Sequence, residues 1–544
     1  MTRQAARDER VVHRLLERHA SERPDERFLT CGTESFTYAE LDARADAVAA
    51  GFAALGVSRG DRVAIVCPNR IEMVDLYFGL AKLGAIQVPL NAFLKGEFLR
   101  YQLADCQASV IVVDRAGREA VVDLLAELPG LGTIVNLDDS PPLGRPGLSE
   151  AGFGADVLGS SDVPPVVEVG RGDTMSIVYT SGTTGFPKGC VLSHGYYTRS
   201  ARVTAEMLQM SDSDSIYTTL PLFHGGARMM VLANALRLGI PLTIDAAFSP
   251  ATILPRCKEV GATVIVGMGV MGSAMLSLPA RPEDRDHSVH TFWMAPMTVE
   301  NQELFARRFG IDAFVETFGQ TECVPALAGR RSGLRNRASC GRAPSDLEVA
   351  ILDDDGHPVP DGTVGEICMR PEDRFAMFDG YWGNPEATLK QFTGLWYHTG
   401  DNGRKLQDGS FAFADRKKDS LRRRGENVSS MELEAAILSH PKIAECAVHA
   451  VPSELAEDDI KACIVMKPEQ SVTPEELFEF FSGKLPYFAI PSYVELVSSL
   501  PRNAVGRIMK HKLREAPFSE ATWDLAKLGL SVARSDRRGA GAAS

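Results

Sequence analysis

The strongest chemical signal in the sequence is a loop of glycine and hydroxyl residues around a single lysine. Residues 179–189 read Tyr-Thr-Ser-Gly-Thr-Thr-Gly-Phe-Pro-Lys-Gly and overlap an apolar segment with a strand pattern, 174–180. Small residues let backbone N–H groups approach a polyphosphate, the hydroxyl groups add donors, and Lys188 adds positive charge. Because Gly189 follows the lysine instead of Ser or Thr, the loop is not a Walker A motif. The composition predicts a phosphate-binding loop, and a flexible surface loop is the alternative.

A second glycine pattern points to a different chemistry, and we give it little weight. Residues 267–272 read Gly-Met-Gly-Val-Met-Gly, which fits the GxGxxG pattern of dinucleotide-binding proteins, and they follow a strand-like segment. The acidic residues downstream, Glu283 and Asp284, lie in a loop rich in Pro, Arg and Asp instead of at a strand end. We therefore do not predict a nicotinamide nucleotide site.

Alternating helices and strands must position these loops. Residues 38–57 place apolar side chains at helical spacing, residues 59–69 continue as a turn and a buried strand, and residues 73–91 repeat this order. Such alternation predicts an α/β fold with mostly parallel sheets that are covered on both faces by helices. From about Leu347, short strands separated by turn residues predict a small antiparallel β piece.

The length of 544 residues exceeds the usual size of one domain. The segment 415–425 is strongly charged and poor in apolar residues, as a hinge or linker would be. We expect an N-terminal domain over 1–415, a hinge over 416–419, a smaller α+β cap domain over 420–516, and a disordered tail over 517–544.

Net charge, cysteine spacing and apolar run length argue against nucleic-acid binding, a disulfide framework, a zinc site and a membrane span. The net charge of −13 argues against nucleic acid, whose phosphates select basic surfaces. The ten cysteines are scattered without a CxxC pair, which predicts reduced thiols in the cytoplasm and neither a disulfide framework nor a zinc site. No stretch approaches 18 consecutive apolar residues, so we expect no membrane span.

Five ordered motifs resemble those of the adenylate-forming superfamily, which comprises acyl-CoA synthetases, firefly luciferase and peptide-synthetase adenylation domains. The resemblance covers about residues 15–516, and within the superfamily it is strongest to carnitine-type and related CoA ligases. It implies that ATP and Mg²⁺ convert a small acid into its AMP anhydride, which is then passed to coenzyme A. The motifs are residues 179–189, 316–322, 397–401, 415–428 and 501–510.

The resemblance also implies roles for single residues. Thr321 would bind the α-phosphate, and Glu322 would hold Mg²⁺, a hard cation that prefers carboxylate oxygen. Phe318 would stack on adenine. Asp401 would accept both ribose hydroxyl groups, although a simple turn residue is the alternative, and Arg416 would add a second ribose contact.

The complete predicted sites are larger. The nucleotide site comprises Thr180, Ser181, Gly182, Thr183, Thr184, Gly185, Lys188, Ala295, Pro296, Glu316, Thr317, Phe318, Gly319, Thr321, Asp401 and Arg416. The acid pocket comprises His224, Met268, Gly269, Trp293 and Met294, although His224 could equally be a histidine of the protein interior. The small domain is expected to rotate about Lys418, with Gly425 in the channel of the acceptor. The predicted catalytic residues are Lys188, Thr321, Glu322 and Arg507.

Two positions depart from the superfamily pattern. Gly506-Arg507 stands where the superfamily usually has Gly-Lys. Arginine keeps the charge and can bridge a carboxylate and a phosphate, so we assign the catalytic role to Arg507, with Lys510 or Lys512 as alternatives. Trp293 and Met294 stand where relatives commonly have small residues, which predicts a short, flat or small acid in place of a long fatty chain.

Other acceptors and functions stay open. Some members of the superfamily pass the activated acid to an amine, and the ATP-dependent diazotases activate nitrite for attack by an aryl amine. A catalytically silent scaffold protein is a third interpretation, against which the loop 180–189, Glu322 and Asp401 speak. The resemblance is also consistent with a homodimer.

Overall fold

The alternation of helices and strands that the sequence predicts is present in the computed structural model. The structure describes residues 10–160, 162–180, 186–295, 297, 299–311, 313–314, 316–331, 336–416, 420–423, 426–453, 458–501 and 508–532. Within these residues, no helix combines the length and the apolar character that a bilayer crossing would need.

The helices are distributed along the whole chain. In order they are α1 (Val12–Glu22), α2 (Tyr38–Ala54), α3 (Ile71–Leu83), α4 (Gly96–Cys106), α5 (Arg115–Val122), α6 (His194–Leu208), α7 (Ala233–Leu238), α8 (Ile253–Val260), α9 (Gly269–Ser277), α10 (Val299–Phe309), α11 (Pro385–Gln391), α12 (Ser430–Leu438), α13 (Pro474–Lys484) and α14 (Lys510–Glu515). Short 3₁₀ and π turns lie at Leu125–Glu127, Phe153–Leu158, Ala227–Leu232 and Pro282–Arg285.

The strands of the first half alternate with these helices. They are β1 (Arg27–Cys31), β2 (Glu34–Thr37), β3 (Arg62–Val66), β4 (Ile86–Leu90), β5 (Val110–Val113), β6 (Thr133–Asn136), β7 (Ser149–Gly152), β8 (Thr174–Thr180), β9 (Lys188–Ser193), β10 (Ile216–Thr218), β11 (Leu242–Ile244), β12 (Val264–Met268), β13 (Thr291–Ala295) and β14 (Ala313–Phe314).

The strands of the second half are mostly consecutive. They are β15 (Thr317–Gln320), β16 (Cys323–Ala328), β17 (Leu347–Leu352), β18 (Gly365–Pro371), β19 (Gly380–Tyr381), β20 (Phe392–Thr393), β21 (Trp396–Lys405), β22 (Phe411–Arg416), β23 (Ser420–Arg423), β24 (Glu426–Ser429), β25 (Ile443–Pro452), β26 (Asp458–Met466), β27 (Tyr493–Leu496) and β28 (Trp523–Asp524).

Local sequence explains where these helices begin and end. The Thr37 hydroxyl accepts the Glu40 N–H at 3.2 Å, and the Glu40 carboxylate accepts the Thr37 N–H at 2.8 Å. This reciprocal pair is a capping box, which satisfies backbone donors that helix α2 would otherwise leave unpaired. Helix α3 ends at Gly84, which has a φ of +68°, a conformation that glycine adopts at low cost.

Two mostly parallel sheets form the body of the molecule. One has the order β19-β9-β8-β4-β3-β5-β6-β7, and the other has the order β14-β13-β12-β10-β11-β1-β2. Parallel strands require crossover connections, which the intervening helices supply. The predicted α/β fold class is therefore confirmed.

One hydrophobic layer lies between the two sheets, and each sheet covers a second layer on its outer face. Ile65 of β3 and Val266 of β12 belong to the shared layer, together with buried side chains of α1, α2, α3 and α6. Their neighbours Ala64 and Ile265 point the other way, toward α4 and α10 respectively. Alternate residues of a strand face opposite sides of a sheet, so continuous apolar runs are needed to fill both layers.

The small antiparallel sheet that the sequence predicts follows these layers. Strands β17, β18, β21 and β20 pair in this order, and β22 pairs with β21. A separate hairpin, β15-β16, precedes this sheet. Together these strands carry two of the predicted nucleotide motifs to one region.

The C-terminal residues form a smaller α+β unit around the sheet β25-β26-β27-β28. The sequence predicts a disordered tail from residue 517, but this prediction is wrong for residues 517–532. Val494 of β27 pairs with Trp523 of β28, and Leu525 is buried. The small and polar composition that suggested disorder belongs to the residues after this strand.

Contacts between the small unit and the large body involve the segment after β4. The rings of Phe93 and Tyr487 meet edge to face with centroids 5.0 Å apart. The Lys95 ammonium donates to the Ser482 carbonyl at 2.8 Å, at the end of α13. The outer hydrophobic layer of the first sheet thereby continues into the small unit.

Candidate active site

A tight hairpin presents the predicted phosphate and metal residues. Strands β15 and β16 are antiparallel, and Gln320 pairs with Cys323. Thr321 and Glu322 are therefore the two residues of the connecting turn, which places both at the tip of the hairpin. The Tyr196 hydroxyl of α6 donates to the Thr321 carbonyl at 3.0 Å and accepts the Val324 N–H at 2.6 Å, so the turn is held against the body.

Glu322 is a buried carboxylate with a polar surrounding. Its residue is 6% exposed, and the Tyr381 hydroxyl donates to its Oε1 at 2.7 Å. The Lys188 ammonium lies 4.8 Å above the ring of the same tyrosine. Burial raises the pKa of Glu322, while the Tyr381 hydrogen bond and the Lys188 charge oppose that rise. Glu322 could hold Mg²⁺, which prefers carboxylate oxygen, and the positive charge of Lys188 would favour an anionic phosphate nearby.

The glycine-rich loop leaves and re-enters the first sheet beside this carboxylate. Strands β8 and β9 are antiparallel with Thr180 opposite Lys188, so both ends of the loop are fixed by one strand pair. Cys190, two residues after the lysine, approaches Thr180 with its sulfur 4.0 Å from the hydroxyl oxygen. Five predicted phosphate ligands lie outside the described residues: Ser181, Gly182, Thr183, Thr184 and Gly185.

Asp401 is joined to the same hairpin through Gln320. The Gln320 amide donates to the Asp401 carboxylate at 2.7 Å and to the Thr399 carbonyl at 2.8 Å. Its amide oxygen accepts the Tyr397 hydroxyl at 3.1 Å. Asp401 is 6% exposed, so these bonds fix a carboxylate that is largely shielded from water. The predicted ribose residue and the predicted phosphate residues are therefore linked by one side chain.

The remaining predicted ribose and adenine residues lie on the adjacent strands. Arg416 of β22 pairs with Asp401 across the sheet, which brings their backbones together, although the Arg416 side chain is outside what the structure describes. Phe318 is half-buried, and its ring is 6.3 Å from the ring of Phe413 on β22. The register of β21 and β22 thus brings together two of the predicted nucleotide residues, and the ring contact with Phe413 brings Phe318 near β22.

Three predicted nucleotide residues at or next to the hairpin make contacts that stabilise the local structure. Glu316 accepts the Met297 N–H at 3.2 Å and the Gln302 amide at 3.0 Å, which ties the segment after β13 to β15. The Thr317 hydroxyl donates to the Leu327 carbonyl at 2.7 Å. A Cβ atom at Gly319 would lie only 3.0 Å from the Cys323 carbonyl oxygen, so a larger residue there would require a shift of its neighbours.

The predicted acid pocket borders the hairpin at the loop after β10. His224 is half-buried and precedes Gly225, where an added methyl group would lie 3.7 Å from the Thr321 methyl group. Asn69 holds this loop, because it accepts the Leu222 N–H at 2.7 Å and donates to the Leu220 carbonyl at 2.9 Å. The structure therefore places His224 near the turn that carries Thr321 and Glu322.

Trp293 occupies the layer between the two sheets. It lies on β13 opposite Val266 of β12 and is 3% exposed. Its indole N–H has no hydrogen-bond partner within the described part of the chain. Most buried polar groups are paired, so an unpaired N–H next to a predicted pocket is notable. Ala295 closes β13 opposite the half-buried Met268, while the side chain of Met294 is outside the described set.

The GxGxxG segment does form a strand followed by a helix, because Gly269 begins α9 directly after β12. The downstream acid does not match a dinucleotide site. Asp284 lies on a short 3₁₀ turn and pairs with Arg308 at 2.6 Å. This carboxylate stabilises the outer layer of the sheet and is not presented at a strand end.

Four further predicted site residues cannot be placed with the others: one catalytic residue, the hinge residue, the channel residue and one nucleotide residue. Arg507, Lys418, Gly425 and Pro296 lie outside the described residues. Lys510, the first alternative to the arginine, is engaged within the small unit. Its ammonium lies 2.7 Å from both the Ser430 hydroxyl and the Glu434 carboxylate.

Comparison with known proteins identifies the family. The model of the AMP-binding enzyme family matches residues 16–382, more than half of the chain. The chain belongs to this family. The C-terminal domain of AMP-binding enzymes matches residues 432–507. The predicted enzyme class, an ATP-dependent AMP-forming ligase of the acyl-CoA synthetase type, is thereby confirmed.

Individual relatives agree with this family. A crotonobetaine/carnitine–CoA ligase of Salmonella typhimurium is 32% identical over 492 residues, which cover 88% of this chain and 93% of the relative. The crystal structure of the anthranilate CoA ligase AuaEII with anthranoyl-AMP is 27% identical, with a TM-score of 0.70 over 93% of this chain and 97% of that one. The amide bond synthetase McbA from Marinactinospora thermotolerans has a TM-score of 0.80 over 93% of this chain and 99% of that one. At 22% identity, this last likeness is one of fold alone.

Two residues of the site were not predicted from the sequence. Gln320 stands inside a quoted motif, but its partner Asp401 is 81 residues away, so no local pattern assigns its role. Tyr381, which donates to Glu322, lies 59 residues from it in no recognised motif. In the described secondary structure, the only feature that relates to this contact is the pairing of the short strand Gly380–Tyr381 with β9.

We predict that Gln320→Leu raises the KM for ATP about tenfold and leaves kcat within about threefold. The substitution leaves the buried Asp401 carboxylate without its amide donor, and a hydrogen bond to a charged group contributes about 1.5–3 kcal/mol. Steady-state kinetics at varied ATP would measure the change. Gln391→Leu is the matched control, because Gln391 donates to the His398 carbonyl on β21, the strand that carries Asp401. An unchanged KM in the Gln320 variant would contradict the assigned role.

Proposed function

We propose that this enzyme adenylates a small or aromatic acid with ATP and Mg²⁺ and then transfers the acyl group to coenzyme A. The observation that carries the proposal is the arrangement around the β15-β16 turn. Thr321 and Glu322 lie at its tip, Lys188 lies beside them, and Gln320 at its base holds Asp401. The arrangement offers one position for phosphates and, on the adjacent strand, one for a ribose.

The first half-reaction joins two anions, so positive charge and hydrogen-bond donors must offset their repulsion. An oxygen of the acid attacks the α-phosphorus, the bond from that phosphorus to the bridging oxygen breaks, and pyrophosphate leaves. Lys188 and the hydroxyl groups of Thr180 and Thr321 are the groups that would bind the phosphates. Mg²⁺ held by Glu322 would supply further charge neutralisation there.

The second half-reaction replaces AMP by a thiol. The thiol of coenzyme A attacks the acyl carbon, and AMP leaves with the electrons of the broken anhydride bond. We propose that the small domain rotates about Lys418 and opens a channel along Gly425, as the resemblance to acyl-CoA synthetases implies. Arg507 would serve the first step before this rotation.

The size of the acid follows from Trp293. An indole in the position where relatives commonly have a small residue would remove volume from the acid pocket that the resemblance implies. We propose a short or flat acid, and an oxygen or nitrogen of that acid would accept the indole N–H, which has no hydrogen-bond partner among the described residues. The quaternary ammonium acid named for the Salmonella relative belongs in the test, since cations bind aromatic faces.

We predict that Trp293→Ala increases kcat/KM for bulkier acids about tenfold relative to the smallest substrate. Removal of a buried indole opens a cavity, which also lowers the free energy of unfolding by about 3–5 kcal/mol. A panel of acids of increasing size measures the first effect, and chemical denaturation measures the second. The matched control is Trp396→Ala, because Trp396 stacks against Arg370 on the small antiparallel sheet. Turnover of palmitate-length acids by the unmodified enzyme would contradict the proposed pocket.

ATP–pyrophosphate exchange tests the function directly. Purified enzyme would be assayed with aliphatic acids, aryl acids, crotonobetaine and nitrite, and then with coenzyme A or amines as acceptors. AMP release that depends on coenzyme A would support the ligase. Absence of exchange with every acid would overturn the proposal.

Acceptors other than coenzyme A are the second candidate. Formation of an amide from an amine, or AMP formation from nitrite with an aryl amine, would favour an amide-forming ligase or a diazotase. The likeness to an amide bond synthetase does not favour this candidate, because it concerns the fold alone. A cytoplasmic location and a homodimer remain proposals from the cysteine usage and the resemblance.

A further inference from the structure

We propose that Glu366, Cys368 and His398 form a binding site for a zinc-like divalent cation on the small antiparallel sheet. The sequence predicts no zinc site, because none of these residues lies in a CxxC or similar pattern. Within the part of the chain that the structure describes, these residues are the one group of three whose ligand atoms all lie within 4.8 Å of one another. The site is separate from the nucleotide-associated Mg²⁺ of the proposed function.

Strand register brings the three side chains together. Strands β18 and β21 are antiparallel, and Cys368 lies opposite His398. Glu366 precedes the cysteine by two residues, so both side chains emerge from the same face of β18. Glu366 itself lies opposite Asn402, because the register of the two strands shifts between Glu366 and Cys368, so the three side chains meet at an irregularity of this strand pair.

The distances fit the edges of a tetrahedral zinc site. Cys368 Sγ lies 3.5 Å from His398 Nδ1, and the same nitrogen lies 3.0 Å from Glu366 Oε2. Zinc takes thiolate sulfur at about 2.3 Å and imidazole nitrogen or carboxylate oxygen at about 2.0–2.1 Å. At tetrahedral angles the ligand atoms then stand roughly 3.6 Å apart for the sulfur–nitrogen pair and roughly 3.3 Å for the nitrogen–oxygen pair. These two edges therefore need to change by only a few tenths of an ångström, and the third edge, from Cys368 Sγ to the Glu366 carboxylate, is within 4.8 Å.

The chemical types of the three ligand atoms favour certain metal ions over others. A thiolate, an imidazole and a carboxylate suit Zn²⁺ or Co²⁺, whereas Mg²⁺ and Ca²⁺ prefer oxygen ligands alone. Glu366 also has an outer partner, because its Oε1 accepts the Gly400 N–H at 2.9 Å. Such a bond orients a ligating carboxylate and makes it a better donor.

Burial differs among the three ligands in a way that permits access. Cys368 and Glu366 are buried, whereas the side chain of His398 is 23% exposed. The histidine side is therefore the route by which an ion would enter, and a water molecule would complete the coordination. Bound metal would stiffen the strand that carries Asp401, three residues after the histidine.

A second cysteine–histidine pair provides an internal control. Cys463 Sγ lies 3.8 Å from His449 Nε2 on paired strands of the small unit. Among the described residues, no third ligand atom completes this pair, whose cysteine is as buried as the first. The third ligand, Glu366, is what distinguishes the proposed site.

Cobalt binding tests the proposal with the full-length protein, stripped of metal and kept reduced, without ATP. We expect one equivalent of Co²⁺ to bind and to produce a thiolate-to-cobalt charge-transfer band, which Zn²⁺ displaces. Cys368→Ala and His398→Asn should each abolish the band, while Cys463→Ala should retain it. Circular dichroism establishes that each variant is folded.

Two results would overturn the site: a wild-type protein that gives no band, or a band that persists in the folded Cys368→Ala and His398→Asn variants. If Cys463→Ala lost the band while Cys368→Ala kept it, the metal would be bound at the control pair. That result would also overturn the proposal. Because binding is measured without ATP or acid, its outcome is independent of the proposed function.

Discussion

Glu322→Gln is expected to lower the rate of ATP–pyrophosphate exchange about a hundredfold or more at any Mg²⁺ concentration. A hundredfold loss corresponds to about 2.7 kcal/mol of transition-state stabilisation. The amide keeps the shape of the side chain and can still accept the Tyr381 hydroxyl, but it removes the negative charge that would hold the cation. Exchange assays across a Mg²⁺ titration measure the loss. Glu348→Gln is the control, since Glu348 is a partly exposed carboxylate paired with Arg370.

The pH dependence adds a second test of the same residue. Burial raises the pKa of Glu322, so the folded protein binds a proton more tightly there than the unfolded chain does. The ionised form needed for metal binding is therefore lost at a higher pH than for an exposed carboxylate, and exchange should fall as the pH drops through that raised pKa. Tyr381→Phe removes a donor to the carboxylate and should shift this limb to still higher pH.

The Glu322→Gln variant is expected to lose activity but not stability. A carboxyl group with a raised folded pKa stabilises the fold at low pH, and this contribution is lost as the pH rises through the folded pKa. At neutral pH the charged Glu322 therefore destabilises the fold in the absence of metal. The free energy of unfolding of Glu322→Gln should consequently equal or exceed that of the wild type. A variant that loses both exchange and stability would contradict the metal-ligand role.

Arg507→Ala is expected to lower adenylation at least about tenfold, or about 1.4 kcal/mol. Arg507 stands where the superfamily usually has its catalytic lysine, and its guanidinium can bridge the acid and the α-phosphate. Arg507→Lys restores the usual residue and should keep most of the activity. ATP–pyrophosphate exchange isolates this step from the later transfer.

Lys510→Ala is the matched control for the arginine. Its ammonium already contacts Glu434 and Ser430, so its loss should change exchange by less than about twofold. Thermal unfolding would show whether the small unit loses stability through the broken ion pair. Unchanged exchange in Arg507→Ala together with loss in Lys510→Ala would transfer the catalytic role to the lysine.

Local periodicity was sufficient to predict the α/β architecture. Strands such as β3 and β12 are continuous apolar runs, because alternate residues fill two different hydrophobic layers. The motifs around Lys188, Glu322 and Asp401 were recognised by resemblance, and the structure brings their described residues to one region. These features depend on residues close together in sequence.

Contacts between distant residues were not predictable in the same way. Gln320 reaches Asp401 through a side-chain bond between two different sheets, and Tyr381 reaches Glu322 from a short edge strand. Cys368 and His398 meet because antiparallel register places them opposite each other, 30 residues apart. Composition also misled at the C terminus, where Trp523 pairs with the small sheet despite polar neighbours.

The contact between the rings of Phe93 and Tyr487, which joins the small unit to the body, has a consequence for shortened forms of the enzyme. Without the residues after the hinge, the ring of Phe93 and the carbon chain of Lys95 would face water beside a layer of aliphatic side chains. Such an uncovered apolar patch favours self-association. A fragment that ends near residue 415 should therefore aggregate on concentration, and expression of the body alone should require a polar replacement at Phe93.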